Sequence, residues 1–247
     1  MKSSANLLLL NDNSKFIYLM IFNSFINLFY PNLCCGCGNS LVQGEKTICL
    51  SCLSKIAITD FHTFHDNPVA QLFYGKLLIE NATAMCFYDK GGLIQHFMHQ
   101  LKYKSKPEVG IYFGRKLGKL LSQSDLYSNI DAVIPIPLHS KKLKIRGYNQ
   151  SKVIADGFVL GYKTEIIEDV LVRVEFTETQ TRKNRWDRYE NVKNMFAVKN
   201  PEKIKGKHLL LVDDVITTGA TIIACAKHLS SIEGVKISIA GIASPAK

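Results

Sequence analysis

LLLVDDVITTGAT, Leu209–Thr221, carries three elements in direct succession. Leu209–Val212 is an apolar run, and Asp213-Asp214 follows at once. The interior of an apolar strand does not tolerate two carboxylates, so the pair is expected at the strand's carboxyl end. The small polar loop Thr217-Thr218-Gly219-Ala220-Thr221 comes next and opens a helix marked by Ile222, Ile223, Ala226 and Leu229. In such a loop backbone N–H groups can turn inward, the threonines add hydroxyls, and the helix N-terminus contributes a fixed positive end. Together they predict a cradle for one phosphate monoester. The two aspartates call for donors instead, and a sugar with vicinal hydroxyls, held by its 5′-phosphate, supplies them. A turn capped by Asp and Thr for packing alone is the competing reading. It accounts for Gly219 but not for two acids beside a donor-lined loop.

Working outward, DAVIPIP (Asp131–Pro137), ATAMCFYDK (Ala82–Lys90) and VKISIAGIA (Val235–Ala243) read as further strands. Helical patterns separate them. Leu93, Phe97 and Leu101, then Ile111, Leu117 and Leu120, predict two helices parted near Pro107. Near-continuous apolar strands alternating with helices predict an α/β fold, a mostly parallel sheet covered on both faces. In open parallel sheets ligands bind outside the carboxyl ends of the strands, where the acidic pair and its loop fall.

The segment after DAVIPIP is read as a loop, LHSKKLKIRGYNQSK, with a helix beginning near Asn149 or Gln150. It sets Lys141, Lys142, Lys144 and Arg146 close together with no acid nearby. Loops after neighbouring strands open on one edge, so this one predicts a second anion site suited to a diphosphate. Arg146 offers bidentate contacts, and Lys141 and Lys142 offer point charges. A solvated basic face is the alternative. Between Lys90 and Lys119, too, basic residues outnumber the single acid, Glu108.

Cys34-x-x-Cys37 and Cys49-x-x-Cys52 form two knuckles whose thiolates match the tetrahedral sulfur preference of Zn²⁺. The spacer is shorter than in common zinc sites but long enough for a small hairpin. All four positions are then protein ligands, so the metal is structural. Disulfides are the rival reading, disfavoured by the lack of an export signal. Cys35 lies beside a ligand and outside the set, and Cys86 and Cys225 read as buried packing. The pairs His62/His65 and His96/His99 lack a third ligand nearby.

The 247 residues suit one or two domains, and 47% hydrophobic content excludes a disordered or fibrous chain. A net charge of +10 favours anionic partners without choosing among them. FIYLMIFNSFINLFY (Phe16–Tyr30) covers only ~22 Å as a helix, against a hydrocarbon core of ~30 Å. Asn23, Ser24 and Asn27 give it a polar stripe, so it is expected to pack on the protein, with a membrane-surface anchor as the minority reading. The expected organisation is an N-terminal helical segment (1–33), a zinc module (34–58) and a larger domain (59–247) in a cytoplasmic protein with no transmembrane segment.

LLLVDDVITTGAT resembles the phosphoribosyl-diphosphate signature of type I phosphoribosyltransferases. That resemblance implies that Asp213 and Asp214 are the catalytic acids holding the ribose 2′- and 3′-hydroxyls, with Thr217, Thr218, Gly219, Ala220 and Thr221 as the phosphate loop. The wording PIPLH…K…RGYNQS is more specific and resembles the ComF family, GntX-like relatives included. NLFYPNLCCGCGNSL resembles that family's opening, QLKYKSKPEVG its central Lys-Tyr stretch, and TETQTRKNRWDRYENVKNMF its Gln…Arg…Asn…Phe segment. The last maps to Gln180, Arg188, Asn191 and Phe196, with Lys183 a departure from an apolar position. An element like 177–194 often forms a hood over the substrate, and Trp186 is expected either to stack on a base or to anchor that hood. The family implies 5-phosphoribosyl 1-diphosphate and Mg²⁺ as ligands and transfer of ribose phosphate to a nitrogen acceptor. It also implies a role in DNA uptake during natural transformation, with single-stranded DNA and the uptake machinery as partners. A chain that senses phosphoribosyl diphosphate, or binds single-stranded DNA, without turnover is the alternative.

Overall fold

The computed structural model describes residues 31–174 and 195–245. Contacts divide the chain between Ser54 and Lys55 into two compact units. In the first, Leu33 and Ser40 form an antiparallel bridge, and one helical turn, Leu50–Leu53, follows. Glu45 ties the ends of this loop together, its carboxylate accepting from the N–H groups of Val42 at 3.1 Å and Leu50 at 2.7 Å.

The second unit is built on five parallel strands. In chain order the strands are β1 (Ala82–Tyr88), β2 (Ala132–Pro135), β3 (Glu165–Ile166), β4 (Leu171–Arg173), β5 (Phe196–Val198), β6 (His208–Val215) and β7 (Lys236–Pro245). The sheet runs β1-β7-β6-β2-β3, and β4 pairs with β5 as a separate antiparallel ribbon. Leu209–Val212 and Ile237–Ala243 are buried along their length, as strands covered on both faces must be. Among the described residues the longer helices that accompany them are α1 (Leu93–Tyr103), α2 (Pro107–Leu121), α3 (Ser140–Arg146), α4 (Gln150–Phe158) and α5 (Ala220–Leu229). Leu209 and Leu211 join Cys225, Ala226 and Leu229 of α5 in one core cluster. Successive strand residues alternate faces, and α4 and α2 lie against β6 and β7. The β1 edge is partly closed, with Ala57 O and Thr59 N bonded to Phe87 N and Met85 O at 2.9 Å each. No helix among the described residues is long and apolar enough to cross a membrane; the Phe16–Tyr30 segment lies outside them.

One segment differs from expectation. Ser140–Arg146, read as loop, is the helix α3. None of its residues is buried, so it shows no apolar period. Its ends make it: His139 Nδ1 accepts from Lys141 N at 3.1 Å, and Gly147 closes it in the left-handed conformation at φ 79°. The segment His62–Lys76 contains the helical turn Pro68–Gln71. Asn67 organises that turn, accepting from Val69 N and Ala70 N and donating to Phe61 O and Ala82 O.

Helices α2 and α4 meet through glycines. A Cβ on Gly114 would stand 2.1 Å from Ile154 O, and one on Gly157 2.3 Å from Ile111 O. Backbone cannot yield as a side-chain tip can. Gly114→Ala should therefore lower stability by about 3 kcal/mol, read as a lower urea midpoint with little change in slope. An unchanged midpoint would contradict this packing.

Candidate functional site

Asp213 and Asp214 occupy the carboxyl end of β6, the central strand, before the Thr-Gly loop. Ile216 N bonds to Ala243 O at 2.8 Å and pins the start of that loop to β7. Gly219 then turns the chain into α5 at φ 69°, and a Cβ there would meet Phe73 Cε1 at 2.8 Å. Both the backbone angle and the ring exclude any side chain. Gly219 is thus an N-cap that offers no side-chain cap, which leaves first-turn donors of α5 to solvent or an anion. Thr218 Oγ1 accepts from Ala220 N at 3.4 Å. Asp213, Thr217, Thr218, Gly219, Ala220 and Thr221 line one open cleft, with Thr217, Thr218, Ala220 and Thr221 exposed.

The two carboxylates differ electrically. Asp214 is buried, its Oδ2 lies 2.8 Å from Lys102 Nζ, and its Oδ1 accepts from Val215 N at 2.7 Å. Asp213 Oδ1 accepts from Ser151 Oγ at 3.0 Å and Asp214 N at 2.9 Å. Burial, followed by the charge of Asp214, pushes Asp213 up to about 7 against the pull of those two donors and of the Lys102 ammonium. Asp213 is therefore held nearer its neutral form than an exposed aspartate is. Lys102 and Ser151 were given no role by the sequence reading, although both stand in quoted motifs, QLKYKSK and RGYNQS.

The basic segment opens on the same edge. β2 and β6 are parallel neighbours with Pro135 opposite Val212, and Ile136 N bonds to Val212 O at 3.1 Å. Arg146 Nη1 donates to Gln150 Oε1 at 2.6 Å, and its guanidinium lies 5.2 Å from the centre of the Tyr103 ring. Tyr103 adjoins Lys102, so Arg146 is linked to the acid pair through the end of α1. Lys141 and Lys142 stand exposed on α3 and do not line the acid cleft. Gln180, Arg188, Asn191 and Trp186 lie outside the described residues; β4 and β5 flank that segment.

In the first unit the sulfurs of Cys34, Cys37, Cys49 and Cys52 all lie within 4.8 Å of one another, a cluster able to bind a metal ion. Cys34, Cys49 and Cys52 are buried and Cys37 is exposed. Backbone donors already serve the sulfurs: Cys34 Sγ accepts from Gly36 N and Cys49 N at 3.3 Å each, and Cys49 Sγ from Cys52 N at 3.4 Å. Such N–H···S bonds favour thiolates, the form that ligates metal. Cys86 and Cys225 are fully buried, and burial raises both thiols.

Comparison with known proteins agrees with this arrangement. The phosphoribosyl transferase domain model matches residues 153–246, which include the acid pair and its loop. Competence protein F of Haemophilus influenzae is 25% identical over 228 residues, 87% of this chain and 98% of that protein. DNA utilization protein YhgH of Escherichia coli O157:H7 is 28% identical over 212 residues, 82% of this chain and 92% of the other. Competence protein ComFC of Bacillus subtilis is 25% identical over 205 residues, covering 76% and 80%. A transferase-domain match at the site, joined to similarity along most of each relative's length, makes the chain similar to the ComF/GntX-like, competence-associated phosphoribosyltransferases.

Proposed function

We propose that this phosphoribosyltransferase binds 5-phosphoribosyl 1-diphosphate together with Mg²⁺ and transfers ribose 5-phosphate to a nitrogen acceptor. The observation that carries the reading is Asp213 lining one cleft with the Thr217–Thr221 loop at a helix N-terminus, with Asp214 next to it at the end of the central strand. Thr217–Thr221 would take the 5′-phosphate, and Asp213 and Asp214 the ribose hydroxyls. Lys141, Lys142 and Arg146 would hold the diphosphate, with Gln180, Arg188 and Asn191 as the hood. In the reaction the C1′–O bond breaks, diphosphate leaves with the electron pair, and the acceptor nitrogen forms the new bond to C1′ and gives up a proton. The protein's part is positioning, plus negative charge near a ribose that becomes cationic. Mg²⁺, a hard cation suited to carboxylate and phosphate oxygen, would be held at Asp213 or Asp214 and neutralise the leaving group's charge. Zn²⁺ is the metal that four clustered thiolates select, with no position left for water.

The names of the relatives support a role in DNA uptake. Direct binding of single-stranded DNA is a second reading, favoured by exposed lysines on α3 beside the exposed ring of Tyr103. Calorimetry with phosphoribosyl diphosphate and MgCl₂, followed by diphosphate release with a panel of nitrogen acceptors, tests the main proposal. Magnesium-dependent heat is expected. A folded protein that gives none refutes it. A DNA affinity that does not fall with salt refutes the second reading.

A further inference from the structure

Lys102 has no part in the reading above, yet it sits at its centre. Its ammonium is 2.8 Å from Asp214 Oδ2, and the two side chains are 25% and 11% exposed. A partly open cation therefore covers a nearly buried carboxylate that the sugar or its metal needs. The residues on either side of Lys102 reach the other half of the site. Leu101 O accepts a hydrogen bond from Tyr148 OH, and the ring of Tyr103 lies beneath Arg146. Three consecutive residues at the end of α1 thus touch the acid-tipped strand and the segment assigned to the diphosphate. The lysine stem is flexible and its head a point charge, so it can change partners without any movement of α1.

We infer that Lys102 is a diphosphate-binding residue parked on Asp214 while the sugar position is empty. This rests on the phosphoribosyl diphosphate reading. In the free protein the ammonium offsets the charge of two adjacent carboxylates. When ribose hydroxyls or Mg²⁺ engage those carboxylates, the ion pair gives way, and the nearest new anion is the diphosphate beside Arg146. Lys102 then opposes a ligand that has the sugar phosphate alone and favours one that also carries the diphosphate. A permanent structural ion pair acts differently: its removal would loosen Asp214 and weaken both ligands alike.

The test compares wild type, Lys102→Met and Lys102→Arg as full chains by calorimetry. The probes are ribose 5-phosphate and phosphoribosyl diphosphate, each with MgCl₂. Lys102→Met should bind ribose 5-phosphate at least as tightly as wild type, and phosphoribosyl diphosphate at least about 10-fold more weakly. Lys102→Arg should stay within about 3-fold of wild type for the diphosphate. Equal weakening of both ligands, or an unchanged affinity for the diphosphate, overturns the inference. If Lys102→Met does not melt cooperatively, Lys102→Gln, which keeps a donor for Asp214, carries the same comparison. A wild type that binds neither probe overturns the proposed substrate instead.

Discussion

Asp213→Asn combined with Asp214→Asn should leave a folded protein whose affinity for phosphoribosyl diphosphate is at least about 100-fold lower. Asparagine keeps a side-chain oxygen for the Ser151 hydroxyl and for the N–H groups of Asp214 and Val215, so the strand end keeps its local bonds. What vanishes is the charge that pairs with Lys102 and that, in the proposed complex, would engage ribose hydroxyls and Mg²⁺. The single variants should separate in stability. Asp213 titrates near 7 when folded, against about 3.9 for an unfolded aspartate. Its neutral form is thus favoured by folding, and its contribution to stability, full below about pH 4, is lost as pH rises toward 7. Asp213→Asn should flatten that decline and raise the urea midpoint at pH 8 relative to pH 5. Asp214→Asn strips a nearly buried carboxylate from Lys102 and should lower the midpoint at both. Ligand that requires ionised Asp213 should bind more tightly toward pH 8 and release a proton near pH 6.5, seen as buffer-dependent heat. Retention of wild-type affinity by the double variant would remove the acid pair from the site. If single-stranded DNA binds elsewhere, that affinity survives the same change.

Removing metal should unfold the first unit and spare the second. Among the described residues 31–54, the buried apolar side chains are Cys34, Cys35, Ile48, Cys49 and Cys52, and Ile48 alone is a large aliphatic. One isoleucine cannot offset the chain entropy of such a segment. A four-thiolate zinc site contributes on the order of 10–16 kcal/mol and can. A chelator with reductant should therefore abolish amide protection across residues 34–52. Protection in β6 and β7, buried along their apolar lengths, should persist. The protein as purified should hold about one zinc per chain. Zinc content near zero with the segment still protected would rule out the metal as its organiser.

The strand, acid pair, loop and helix at Leu209–Leu229 were legible because each is written locally, in contiguous apolar residues, paired acids and a glycine before a helix. The break at Pro107 between α1 and α2, and the four-cysteine spacing, were legible for the same reason. α3 was not, since a helix with no buried residue leaves no period, and its existence rests on His139 and Gly147 at its ends. The pairing of Lys102 with Asp214 and of Ser151 with Asp213 joins residues far apart in sequence. Only the order β1-β7-β6-β2-β3 and the helices over it bring them together. The inequality of the two acids follows from those non-local partners and so was hidden as well.

The seam between α2 and α4 has a consequence for how the site waits. Ser151 and Gln150 open α4, and four residues further on Ile154 O faces Gly114 with no room for a methyl group. A helix clasped that tightly can neither roll nor slide. The Ser151 hydroxyl is accordingly set beside Asp213 once, when the chain folds, instead of being repositioned at every encounter.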